Sequence, residues 1–148
     1  MKRSIAGLAL AATLLSGGAS AAPGAWQVGP VAASPGACSA KLPGADIDLI
    51  LMINEKGKLV LTAGHGAWNA SPGSFSSTLV IDGRSAGTFP VDGVGPLYLG
   101  LVPDAVTPRL RVSNSIDWTL PTGTFHIATR GLGLGQAMDE TIACMHGK

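Results

Sequence analysis

Residues 45–64 read ADIDLILMINEKGKLVLTAG, in which two apolar runs (47–53 and 58–63) are joined by the turn sequence NEKG. Asn54 can accept hydrogen bonds from the backbone of a tight loop. Gly57 can adopt the positive φ that closes a four-residue connection. The stretch therefore predicts a β-hairpin.

The first run is almost continuously apolar from Leu49 to Ile53. Such a run is typical of a central strand that is covered on both faces. The second run alternates, with Leu59, Leu61 and Ala63 on one face. We therefore expect the hairpin to lie at the centre of a sheet.

The N-terminus has the organisation of a secretory signal peptide. Lys2 and Arg3 precede an apolar stretch over residues 5–15, and the small residues 19–21 follow it. We predict cleavage after Ala21 and a periplasmic or extracellular location. The apolar stretch is too short to span a bilayer. The expected organisation is a signal peptide at 1–21, an extended Pro-, Gly- and Ala-rich arm at 22–37, and a single β-rich domain at 38–148.

Composition excludes some classes of partner. Removing residues 1–21 changes the formal net charge from +1 to −1, and Lys and Arg form no cluster in the remaining sequence. Nucleic acids and anionic membranes are recognised through basic patches. We therefore expect no nucleic-acid partner. We also expect no membrane span in the chain after cleavage.

Cys38 and Cys144 are the two cysteines. In an oxidising compartment we expect them to form an intramolecular disulfide. Two free buried thiols and an intermolecular bridge are the alternatives.

The rest of the chain predicts further strands and a closing helix. Residues 77–81 form a strand that ends at an Asp-Gly turn, and residues 116–127 form a second hairpin. Weaker strands are expected at 89–91 and 97–102, and loops at 65–76 and 92–96. The apolar residues of 134–145 recur at helical spacing, whereas residues 103–113 are ambiguous because Pro108 interrupts a possible helix. The expected fold is mainly β: an antiparallel β-sandwich or curled sheet with one C-terminal α-helix.

His65 is the one residue near the hairpin that could carry chemistry. The segment LTAGHG around it is similar to the histidine segment of chymotrypsin-like proteases, but no Gly-Asp-Ser-Gly-Gly nucleophile segment is present. A hydrolase or metal site would require His65, a serine and one of Asp46, Asp48 or Asp82 to converge. Because the nucleophile segment is missing, we predict no catalytic residue. Because no two histidines have ligand spacing, we predict no metal site. We also predict no cofactor.

The glycine-rich segment before the C-terminal helix has a simple structural interpretation. Gly131, Gly133 and Gly135 have the wrong spacing for a dinucleotide fingerprint and indicate a strand-to-helix connection.

Trp68, in a Gly-flanked loop, is the best candidate for a partner contact because exposed Trp side chains contribute much of the binding energy in interfaces. A Trp68 that folds back over its own sheet is the commoner arrangement. The predicted binding residues are Trp68 and His65.

The order of features resembles the small periplasmic proteins of the invasion-associated locus B type found in alphaproteobacteria. The shared features are an early Trp (Trp26), a long apolar hairpin, the segment LVIDG at 79–83, and a Gly-rich connection into a short helix at 131–144. The resemblance implies a secreted β-sandwich without recognised catalytic residues.

The sequence therefore favours a secreted, small β-rich protein that acts by binding or by association with the cell envelope, with an unknown protein or envelope component as its partner. The alternative is a small hydrolase or metal-dependent enzyme centred on His65. A third possibility is a protease-inhibitor-like module that uses the arm at residues 22–36.

Overall fold

In the computed structural model, the described residues are 26–32, 34–44 and 46–147. The predicted signal peptide and the first residues of the arm lie outside this range. The strands are β1 (Gln27–Pro30), β2 (Cys38–Leu42), β3 (Asp48–Ile53), β4 (Leu59–Gly64), β5 (Ala70–Ile81), β6 (Arg84–Gly95), β7 (Leu97–Leu101), β8 (Ser115–Leu120) and β9 (Gly123–Ala128), and the helices are α1 (Thr107–Arg111) and α2 (Leu134–Met145).

The strands form one antiparallel sheet in the order β1-β2-β3-β4-β7-β6-β5-β8-β9. A sheet of this width curls because neighbouring strands twist relative to one another. Its concave side, which we call the inner face, holds the hydrophobic core, and α2 packs there against β1, β2 and β3. The predicted mainly β fold with a C-terminal helix is confirmed, as a single curled sheet.

The hairpin of β3 and β4 forms for the reasons that its sequence indicates. The Asn54 side-chain oxygen accepts hydrogen bonds from the backbone N–H groups of Lys56 and Lys58, both at 2.9 Å. Gly57 has a φ of 76°. The turn therefore sets the register in which Ile53 lies opposite Leu59.

The inner face is closely packed. Leu49, Leu51 and Leu61 are each 1% exposed, and Trp118 is fully buried. Trp26 is also buried in this core. Residues 27–30 of the predicted arm pair with β2 as an edge strand.

The outer face of the same strands differs from the prediction. Ile50 and Met52 of β3 are only half-buried, so the expectation of a strand covered on both faces is wrong. No described element of the chain packs over this face, because α2 contacts β1 to β3 through the buried side chains of the inner face.

Two strands are longer than the sequence indicates. The loops expected at 65–76 and 92–96 contain the start of β5 at Ala70 and the end of β6 at Gly95. The loop predictions were wrong because they relied on the Ser, Gly and Pro content of these two segments. These small residues permit close pairing: a Cβ atom at Gly93 would lie 2.6 Å from the carbonyl oxygen of Ser71. The ladder accommodates an irregularity between Ala70 and Gly73.

The ambiguous segment 103–113 contains the short helix α1. Pro108 lies in its first turn, where a missing backbone N–H costs no intrahelical hydrogen bond. The proline therefore starts the helix rather than interrupting it.

Cys38 and Cys144 form a disulfide across 106 residues of sequence. The bond joins the inner face of β2 to the last turn of α2. The predicted intramolecular disulfide is confirmed. No helix within the described residues is long and apolar enough to cross a membrane.

Candidate functional site

His65 and Trp68 lie together in the connection between β4 and β5. The Trp68 backbone N–H donates to the His65 carbonyl at 3.0 Å, and their ring centroids are 5.8 Å apart. The Trp68 ring also packs against Tyr98 and Phe125, with centroid distances of 5.6 Å to each. Trp68 thus folds back over one end of the inner face and is half-buried there.

The environment of His65 gives it no acid–base partner among the described residues. Its Nδ1 atom accepts a hydrogen bond from the backbone N–H of Ala67 at 3.0 Å. No described carboxylate forms an ion pair or hydrogen bond with it, and Asp48 pairs instead with Lys41 at 3.4 Å.

Asp82 serves a different purpose far from His65. It lies at the β5–β6 turn, beyond the 12 residues of β5, which span roughly 35–40 Å at the rise of an extended strand. Its carboxylate accepts hydrogen bonds from the backbone N–H groups of Asn114 and Ser115 at 2.8 and 3.0 Å. The structure therefore does not bring Asp82 and His65 together.

Other ionisable residues form isolated pairs rather than a cluster. His126 contacts the Asp117 carboxylate at 2.6 Å across β8 and β9, on the exposed side of the sheet. Within the described part of the chain, no three His, Cys, Asp or Glu residues are grouped as metal ligands.

A groove that sequence reasoning missed lies at the opposite end of the sheet from Trp68. We call it the loop groove. One wall is the β1–β2 turn at residues 34–37, the other is the β3–β4 turn at 54–58, and Ile53, Leu101 and Met145 complete it. Its volume of about 830 Å³ lies in the range of small-molecule sites.

The disulfide holds the walls of the loop groove in place. Ala37, on the first wall, precedes Cys38, and Met145, which helps to complete the groove, follows Cys144. The second wall is fixed by the Asn54 hydrogen bonds that close the β3–β4 turn. A site supported in this way is preformed, which reduces the entropic cost of binding.

The loop groove combines apolar surface with local charge. Ile53, Leu101 and Met145 provide the apolar part. Lys58 is paired with Asp104, whereas Lys56 is exposed and has no ion-pair partner among the described residues. Glu55 also lines the groove, so the lining has no overall excess of positive charge, and Lys56 provides a single local cation at the rim.

A second feature is the outer face of β3, β4 and β7, which we call the outer apolar face. Its side chains are apolar and half-buried or exposed: Ile50, Met52, Val60, Leu97, Leu99 and Leu101. Leu101 is 54% exposed, and the adjoining Val94 of β6 is 55% exposed. A contiguous apolar patch of this kind is typical of an interaction surface.

The signals for both features are spread along the sequence. The loop groove is assembled from four separate segments, so no local motif could indicate it. The outer apolar face is encoded by the continuous apolar run of β3, which we expected to be covered on both faces, and by the leucines of β7, which we expected only as a weaker strand.

Comparison of the chain with family models, with curated proteins and with solved structures gives no match. The resemblance to the invasion-associated locus B type therefore stays a prediction, and functional inference depends on the geometry of this chain.

Proposed function

We propose that the protein is a secreted, periplasmic or extracellular binding protein that holds a small amphipathic molecule in the loop groove. The observation that carries this proposal is a preformed groove of about 830 Å³ whose walls adjoin the disulfide. The binding residues of this proposal lie at the other end of the sheet from His65 and Trp68.

The lining favours an apolar chain with an anionic group. Ile53, Leu101 and Met145 would remove apolar ligand surface from water, which stabilises the complex by roughly 25 cal/mol per Å² before the costs of association. The unpaired ammonium of Lys56 would attract a carboxylate at the rim. Because Lys56 is exposed, its contribution is modest, about 1 kcal/mol or less.

The export pattern of the N-terminal sequence and the disulfide support the same location. The N-terminal sequence has the pattern of an export signal, and the disulfide suits an oxidising compartment. A binding protein in such a compartment requires no catalytic cluster. Binding is favoured over catalysis at His65, whose ring nitrogen accepts a backbone N–H instead of facing a described carboxylate.

The proposal is tested by calorimetric titration of the purified protein with dodecanoate and with the uncharged dodecanol. Both ligands should bind, and Lys56→Gln should weaken dodecanoate binding by up to about fivefold while leaving dodecanol unchanged. Arg130→Gln is the matched control, because Arg130 is an exposed cation outside the groove. Failure of both ligands to bind would exclude this ligand class.

A further inference from the structure

The outer apolar face has a regular arrangement of charge. Cross-strand pairing places Lys41, Ile50, Thr62, Leu99 and Asp92 in one row across β2, β3, β4, β7 and β6. Directly opposed residues in antiparallel strands share a face of the sheet. The row therefore begins with a cation, passes through three uncharged residues, and ends with an anion.

The two ends of this row are accessible. The Lys41 side chain is 44% exposed even though it pairs with Asp48. Asp92 is exposed and has no ion-pair partner among the described residues. Asp92 can therefore accept a cation from outside the molecule, and the exposed part of Lys41 can contact a second carboxylate in addition to Asp48, which lies on the same face.

We propose that the outer apolar face binds the same face of a second copy of this chain, related by a two-fold axis that runs along β4. Turning the second copy over about this axis places its β7 and β6 against β3 and β2 of the first. Lys41 of each copy then faces Asp92 of the other. A two-fold interface of this kind uses one surface twice and closes on itself.

The apolar residues match under the same operation. Ile50 faces Leu99 of the second copy, and the neighbouring row places Met52 opposite Leu101 of the second copy. Thr62, which is 2% exposed, lies on the axis and presents no charge. Stacked sheets pack about 10 Å apart and about 30° from aligned, which their twist permits.

The opposite charges select this orientation over others. If the axis ran across the strands instead, Lys41 would face Lys41 of the second copy and Asp92 would face Asp92. Like charges brought together in an interface oppose association. The charge pattern therefore favours one face-to-face arrangement, in addition to the burial of apolar surface.

The first test is sedimentation of the purified protein from about 1 μM to about 1 mM, the range in which weak association is measured. A reversible monomer–dimer equilibrium is expected. Leu99→Glu should raise the dimer dissociation constant at least tenfold, about 1.4 kcal/mol, because it places a carboxylate on the apolar face, opposite Ile50 of the second copy. Val112→Glu is the control: Val112 is 77% exposed beside the β5–β6 turn and should have no effect.

The second test uses charge reversal and identifies the orientation. Lys41→Glu alone and Asp92→Lys alone each place like charges opposite one another twice in a homodimer, so each variant should dimerise more weakly by about tenfold. A mixture of the two variants restores both opposite pairs in a heterodimer. The mixture should therefore associate more tightly than either variant alone.

Circular dichroism of every variant confirms that the fold is retained before association is compared. A wild-type protein that is monomeric throughout the concentration range would overturn the proposal, as would a mixture that associates no better than its components. These results are independent of the loop groove, because Lys41, Asp92 and Leu99 do not line it, whereas Leu101 lies at the border of both surfaces.

Discussion

Leu51 and Ile50 are neighbours on β3, yet their surroundings differ completely. Leu51 points to the inner face and is 1% exposed, whereas Ile50 points to the outer face and is half-buried. The inner face is covered by α2 and by the curled sheet itself, and the outer face has no such cover within the described residues. The comparison shows that an apolar run in a strand can reflect a core on one side and an uncovered apolar face on the other.

Among the features of the inner face, the disulfide is expected to contribute most to the free energy of unfolding, because it joins α2 to β2. Replacing both Cys38 and Cys144 by Ala should lower the free energy of unfolding by about 4 kcal/mol, since the bond closes a long loop in the unfolded chain. Urea unfolding measures this change. A loss under about 1 kcal/mol would mean that the packing of α2 alone keeps the inner face covered.

Alanine substitutions at adjacent positions compare the two faces directly. Leu51→Ala should destabilise the monomer by about 3 kcal/mol, because it leaves a cavity in the core. Ile50→Ala should cost about 1 kcal/mol, because its side chain is already partly hydrated. Urea unfolding at low protein concentration measures both values. Equal losses would contradict the difference between the faces, and a larger Ile50 loss at high protein concentration would agree with self-association.

Buried hydroxyl groups provide the finest comparison. The Oγ1 atom of Thr62, under the outer face, is buried and has no hydrogen-bond partner among the described residues, so Thr62→Val should leave stability unchanged or raise it by about 1 kcal/mol. Ser77, on the inner face, donates a hydrogen bond to the Phe89 carbonyl at 2.9 Å, and Ser77→Ala should lower stability by about 1 kcal/mol. Thermal unfolding of both variants tests whether the two changes have opposite signs.

Much of the fold could be predicted because its signals are local. Asn54 and Gly57 determine the first hairpin, and the alternation around Trp118 indicates the second. The disulfide could be predicted from the presence of only two cysteines in a chain whose N-terminal sequence predicts an export signal. These features depend on neighbouring residues or on composition, which the sequence displays directly.

The candidate sites depend on long-range geometry. The loop groove forms only because β7 pairs with β4 and α2 returns to β2. These contacts bring together residues 34–37, residues 53–58, Leu101 and Met145. The row from Lys41 to Asp92 likewise requires the pairing of five strands. Trp68 was a reasonable candidate for a partner contact, but its place over Tyr98 and Phe125 depends on the curl of the sheet.

The long span of the disulfide also constrains when the bond can form during synthesis. Cys38 must wait until 106 further residues have been added before its partner exists. During that time it is a lone thiol that can react only with other molecules, including other nascent chains. Because the chain has two cysteines, only one internal pairing is available, and no isomerase is needed to correct a wrong one. An oxidant that acts once residue 144 has been added is sufficient to form the bond.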